Sequence, residues 1–407
     1  MKKTLICAAL AVTMMSLAAA VFAQELKLSG EAKTGVYWQQ VQENGKEPDI
    51  DPTNTLKLHS KDDAGGGEGR FRLNLDFDNG SGFGFRGRID WENWSNTDSE
   101  QPKWRYAFGY GNFFENQLTV SLGKLGGSPW GTGGPEMWKE LEQMNTGGGM
   151  RVEYKPAWIP EQYGRVNVGF VLNWLNSYNE AQSKTPTLGD LLQESVIGAS
   201  YTHDKFMVRM AYRLDGDLDW RDRGSAFIYG AEGGDLVYRL EEYMLRELLP
   251  GMSVWALGHL EGVFADDPMF YWFRNWVFAE YNPPELFGLS TPFTAQLRLG
   301  YDYIESRNEV MIKPSFYWHF FDKLLSVGAS FSYRQDFGKG KVWEGSPYHD
   351  IELEPKIQLN FASSYIALVY NFRQEYMGAR PQVNGVTLDV EPTKRTQYIN
   401  LRFCVYY

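Results

Sequence analysis

Residues able to do chemistry recur at every second position of this chain. Arg165, Arg209, Arg213, Arg239, Arg298, Lys313, Lys356, Arg373 and Arg402 share such positions with Glu31, Asp76, Asp90, Glu153, Asp302, Glu352 and Glu354. On an extended backbone, side chains two apart lie on one face. Sealed in an apolar core these charges would each cost kilocalories, whereas in water they stay solvated and tune which solutes pass. Covalent catalysis has weaker support. A serine nucleophile needs a base and an orienting group within hydrogen-bond reach. Of the five histidines, His59 and His349 fall in loops and His203 in a turn. His259 and His319 share the charged face, with no serine in a recognisable motif and no Gly-x-Ser-x-Gly elbow. No enzyme is expected. Glu47, Asp49, Asp51, Asp62 and Asp63 form an acidic stretch, but their spacing is not a calcium loop, so a solvated surface is the reading and no metal or cofactor is expected. Trp104, Trp130 and Trp138 suit either a sugar-stacking slide or packing within loops, and packing is the commoner role.

The N-terminus sets the compartment. Lys2 and Lys3 precede an apolar run from Leu5 to Val21, and Val21 and Ala23 occupy the small-residue positions before Gln24. This is the pattern of a cleaved signal peptide over 1–23, with a single domain over 24–407. Cys7 belongs to the leader, so Cys404 is the one mature cysteine and makes no internal disulfide. The net charge of −11 becomes −13 once the two leader lysines are removed, which argues against a nucleic-acid partner. Aromatic residues make up 15% of the chain although it is polar on average. No later stretch offers about 18 uninterrupted apolar residues for a spanning helix. Spanning by strands, in which only alternate residues meet lipid, reconciles these facts.

Alternation supports that reading. Ile351, Leu353, Pro355, Ile357, Leu359 and Phe361 alternate with Glu352, Glu354, Lys356, Gln358 and Asn360. Phe71, Leu73, Leu75 and Phe77 alternate with Arg72, Asn74, Asp76 and Asp78, and similar patterns run over 293–302 and 325–334. A helix cannot hold a period of two on one face. Strands are expected near 26–38, 70–78, 82–94, 103–111, 116–124, 148–155, 163–174, 193–203 and 205–214. Further strands are expected near 235–246, 252–262, 269–281, 291–303, 309–320, 324–336, 350–361, 365–376 and 396–407. The fold expected is an all-β transmembrane antiparallel barrel of about 18 strands, with 16 an open alternative. Short periplasmic turns alternate with longer extracellular loops near 39–69, 95–102, 125–147, 175–192, 215–234, 337–349 and 377–394. Phe83, Phe85, Tyr110, Phe113, Phe114, Trp158, Tyr163, Phe206, Tyr281, Phe293, Phe320, Phe321, Phe361 and Tyr365 gather near the short turns, as an interfacial girdle would.

The last strand carries a specific resemblance. Ile399, Leu401, Phe403, Val405 and Tyr407 alternate with polar partners, and the chain stops on an aromatic. This looks like the C-terminal signal that the barrel assembly machinery reads in Gram-negative-type outer-membrane proteins. With Leu26-Lys27-Leu28-Ser29-Gly30-Glu31-Ala32 as a first strand, the chain resembles a general or substrate-selective porin. That resemblance implies passive diffusion of small hydrophilic solutes and ions across an outer membrane, in a homotrimer. It also implies that the loop near 125–147 enters the lumen, setting Glu136, Glu140 and Glu142 against a basic wall of Lys33, Arg72, Arg86, Arg88, Arg105 and Arg151. Two other readings stay open: a sugar-selective channel, and a non-conducting surface barrel serving adhesion or structure.

Overall fold

The computed structural model describes residues 25–44, 50–58, 69–92, 102–125, 130, 148–175, 195–214, 235–261, 272–304, 307–337, 347–377, 382–383, 386–387 and 393–407. The expected leader with its Ala23–Gln24 junction lies outside these residues, as do His59, Trp138, Glu47, Asp49, Asp62, Asp63, Glu136, Glu140 and Glu142. In chain order the strands are β1 (Glu25–Asn44), β2 (Ile50–Leu58), β3 (Arg70–Asp78), β4 (Phe83–Glu92), β5 (Lys103–Phe113), β6 (Leu118–Lys124), β7 (Gly148–Tyr154) and β8 (Arg165–Leu175). There follow β9 (Val196–Thr202), β10 (Phe206–Arg213), β11 (Asp235–Glu242), β12 (Met252–Glu261), β13 (Trp272–Tyr281), β14 (Glu285–Leu286), β15 (Leu289–Ser290) and β16 (Phe293–Ile304). The chain ends with β17 (Arg307–Phe320), β18 (Leu325–Asp336), β19 (Pro347–Phe361), β20 (Ser364–Met377), β21 (Gln382–Val383), β22 (Val386–Thr387) and β23 (Thr393–Tyr406).

Eighteen of these strands form a closed antiparallel ring, which resolves the count against 16. The ring closes where β1 pairs with β23, from Glu31↔Tyr406 to Asn44↔Thr393. Closure matters because every backbone donor and acceptor in a lipid-embedded sheet needs a partner. β14–β15 and β21–β22 are separate small hairpins.

Two boundaries differ from expectation. The stretch 39–69 is not a loop throughout: β1 runs on to Asn44 and β2 pairs beside it, from Val36↔Leu58 to Glu43↔Ile50. β3 covers only the lower edge of β1, from Glu25↔Asp78 to Lys33↔Arg70, so β2 satisfies the edge above it. The strand expected over 235–246 ends at Glu242. There the Glu242 carboxylate accepts the Leu245 N–H at 3.1 Å, capping a single helical turn over Leu245–Leu248.

The two faces separate as alternation requires. Leu353, Ile357, Leu359 and Phe361 are exposed on the outside, with Leu297, Leu299, Val327 and Phe331 on neighbouring strands. Across the sheet, Glu352 and Glu354 accept from Asn371 at 2.5 and 3.3 Å, and Tyr398 donates to Glu354 at 3.0 Å. An apolar belt this extensive does not suit water and fits a lipid surround. Pro314 and Pro355 sit outward within strands. Each lacks an N–H, and the ladder skips the pair Lys313–Pro314 in β17–β18 and the pair Glu354–Pro355 in β19–β20.

Phe83, Phe113, Phe114, Trp158, Tyr163, Phe206, Phe320, Phe321 and Phe361 are exposed at the short-turn rim. Tyr110 and Tyr365, expected in that girdle, turn inward instead. Their strand parity decides it: Tyr110 lies opposite buried Ser121 and donates to Asp78 at 3.2 Å, while Tyr365 lies opposite buried Cys404. The turns 114–116 and 321–323 share one shape, three successive residues with positive φ. Asn116 and Asp322 tolerate that conformation; Phe114 and Phe321 adopt it with exposed rings at the rim.

Candidate functional site

The inner wall of β1 and β3–β7 carries a ladder of paired charges. Glu31 and Arg72 are cross-strand partners, as are Arg72 and Asp90, so the pleat stacks opposite signs side by side. Glu31 is ion-paired with Arg70 at 2.6 Å, Arg72 at 3.0 Å and Lys33 at 3.1 Å. Asp90 takes a two-pronged contact from Arg88 at 2.8 and 2.9 Å, and lies 3.5 Å from Arg72. Arg151 is ion-paired with Glu153 at 2.8 Å, and half-exposed Arg86 stands 3.4 Å from Asp76. Aromatic faces support three of the guanidiniums. Arg86 lies 5.1 Å over Tyr110, Arg88 5.8 Å over Tyr106 and Arg151 5.4 Å over Phe108.

Five of the six basic residues read from the sequence therefore meet on this wall: Lys33, Arg72, Arg86, Arg88 and Arg151. Their carboxylate partners come from the wall itself. Arg105 sits where β5 slips against β4. The register shifts between Arg88 and Ile89, so that Tyr106 faces Arg88 while Trp104 faces Ile89. Alternation alone assigns Arg105 no face. Arg70 and the three stacked rings were not singled out from the sequence, although Arg70 has the same parity as Arg72. Arg165, read as lumenal, is exposed at the short-turn rim and paired with Glu161. Its hydrogen bond and charge hold the Glu161 carboxyl below the usual carboxylate range.

A second polar wall runs over β13 and β16–β20. Asp302 accepts from Arg274 at 2.7 and 3.0 Å, and Arg373 joins Asp350 at 2.5 Å to Glu375 at 3.0 Å. Near the short-turn rim, His319 reaches Ser326 at 2.8 Å and Thr294 at 2.9 Å. This serine–histidine contact escaped motif reading because it forms across strands. Its third member is a threonine hydroxyl rather than a carboxylate, and Ser326 is buried.

Between these walls one level of the inner face is apolar and covered. Val171, Val196, Val237 and Leu257, on β8, β9, β11 and β12, are 0–1% exposed. A valine on the bare wall of a water-filled tube would be accessible, so polypeptide lies against it. Leu125 and Trp130, from the stretch after β6, join these residues in one buried cluster with Phe108, Trp276 and Phe278. Trp130 is fully buried over Gly169 and Gly198, which are cross-strand partners on the inner face. A Cβ on Gly198 would stand 2.0 Å from Trp130 Cδ2, and one on Gly169 2.5 Å from its Cζ2. Trp104 instead packs edge-on against Phe85 on the outside, at 6.4 Å. Trp104 and Trp130 thus present no stacked pair of open faces to a sugar.

No protein-family model matches the chain, and no curated protein sequence matches it. Solved structures do resemble it. The outer membrane channel DcaP of Acinetobacter baumannii is 11% identical, with a TM-score of 0.48 over 94% of this chain and 97% of that one. The anion-selective porin from Comamonas acidovorans is 12% identical, with a TM-score of 0.46 over 93% and 99%. OmpT, an outer membrane protein of Vibrio cholerae, is 12% identical, with a TM-score of 0.44 over 94% and 97%.

Proposed function

We propose that this chain is an outer-membrane porin, a water-filled channel for passive diffusion of small hydrophilic solutes and ions. The observation carrying this reading is the paired-charge wall on the inside of an 18-strand ring. Rings of about 16–18 strands leave an aqueous lumen, and the wall holds its most buried charges, Asp90, Arg151 and Glu153, in pairs. Trp130, seated on the inner wall, supports a loop over 125–147 that narrows the lumen. Glu136, Glu140 and Glu142 would then face the arginine ladder. Export would follow cleavage after Ala23, insertion would use the strand ending in Phe403, Val405 and Tyr407, and assembly would be as a homotrimer. Liposome swelling tests the reading. Vesicles holding the refolded protein should swell faster in small sugars than in large oligosaccharides, and swelling no faster than in empty vesicles would contradict it. A second reading, a non-conducting surface barrel, is favoured by one observation, the fully covered apolar layer on β8–β12. It predicts that same absence of swelling.

A further inference from the structure

A recess of about 610 Å³ opens inside the ring at the short-turn rim, bounded by β4–β7 and the turn at Gly80–Gly82. Its size suits a small-molecule site. The hydrogen-bond balance of its lining is one-sided. The acceptors are engaged. Asp78 accepts the Gly80 N–H at 2.7 Å and the Tyr110 hydroxyl at 3.2 Å. Glu153 is ion-paired with Arg151 at 2.8 Å and accepts from Asn167 at 3.3 Å, and the Asn112 carbonyl accepts the Thr119 hydroxyl at 2.8 Å.

The donors are less committed. Arg86 lies over the Tyr110 ring at 5.1 Å, 54% exposed, and comes no nearer than 3.4 Å to Asp76. The Lys155 ammonium makes no ion pair among the described residues. The Ser121 hydroxyl is 1% exposed and has no hydrogen-bond partner, a costly state for a buried polar group. A cationic guest would meet carboxylates already satisfied. A neutral sugar would leave the Lys155 ammonium unmatched.

We propose that this recess binds small organic anions of hexose size or below through a carboxylate or phosphate. Arg86 and Lys155 take the charge, and Ser121 and the Asn112 amide take further oxygens. The site goes beyond the channel reading, because binding does not require conduction.

Calorimetric titration of the refolded protein in detergent tests it, with gluconate, inorganic phosphate and neutral sorbitol as probes. Saturable binding of gluconate or phosphate is expected, sorbitol giving none, and the stronger of the two identifies the oxyanion. Arg86→Gln should weaken that binding about ten-fold, the loss of one charge-assisted contact, and Ser121→Ala a few-fold. Lys155→Gln, at the exposed turn, supplies a second charge-removing variant should Arg86→Gln not fold. Binding of neither anion, or affinity unchanged by either charge-removing variant, would overturn the proposal. A protein that binds gluconate yet stays silent in bilayers would refute the channel and keep the recess. One that conducts without binding would do the reverse.

Discussion

The ring of Tyr407 rests on Gly30 across the seam that closes the barrel. The two residues exchange backbone hydrogen bonds of 2.8 and 3.1 Å, and the Tyr407 hydroxyl reaches over β1 to the Arg72 carbonyl at 2.7 Å. Phe71 stacks on the same ring at 6.0 Å. One terminal side chain thus ties β23, β1 and β3 together. Only a glycine fits beneath it: a Cβ on Gly30 would lie 2.5 Å from the ring and 2.1 Å from the Arg72 oxygen.

Gly30→Val and Tyr407→Ala should therefore lower the fraction of chain that folds into a heat-modifiable barrel on gels. Tyr407→Phe keeps the stack and loses one hydrogen bond, about 1 kcal/mol in a urea titration. A wild-type folding yield for Gly30→Val would show that the seam does not depend on this contact.

Asp90 is 2% exposed and serves Arg88 and Arg72 together. Asp90→Asn keeps the shape and removes one negative charge between two guanidiniums. The lumen should become more anion-selective, read as a shift of reversal potential in a salt gradient that fades at high ionic strength. A shift toward cations would contradict the ladder.

Arg165 and Glu161 are both exposed at the rim, so Arg165→Gln should leave the reversal potential where it is. The same variant should raise the Glu161 carboxyl back toward its ordinary range, followed by carboxylate NMR. The sign follows from the depressed value. What Glu161 contributes is present above its unfolded pKa and is lost as pH falls through the folded one. A selectivity change as large as that of Asp90→Asn would place Arg165 in the lumen after all.

Gly198→Val fills the seat of Trp130, since a Cβ there would stand 2.0 Å from the indole ring. Displacing that anchor should raise single-channel conductance and its noise. Trp130→Ala should act in the same direction without burdening the wall. Wild-type conductance in both would remove Trp130 from the constriction.

Much of this architecture is legible in the sequence because a strand's period is local. Ile351–Phe361 declares its two faces without knowledge of its neighbours. What depends on register across the sheet is not legible. Gly169 and Gly198 are each visible as inward glycines, yet only their pairing makes a seat for Trp130. The slip between Arg88 and Ile89 puts Trp104 outside and leaves Arg105 without an assigned face. Tyr110 has the position of a girdle residue and the parity of a lumenal one. His319 and Ser326 are seven residues apart but meet across the β17–β18 turn.

The most direct measurement is a planar-bilayer recording of single-channel currents from the refolded mature protein in a salt gradient. Discrete, uniform steps with a defined reversal potential are expected from an open lumen lined by paired charges. A silent bilayer from protein that runs as a folded, heat-modifiable barrel would contradict it, and would mean that the covered layer on β8–β12 closes the ring.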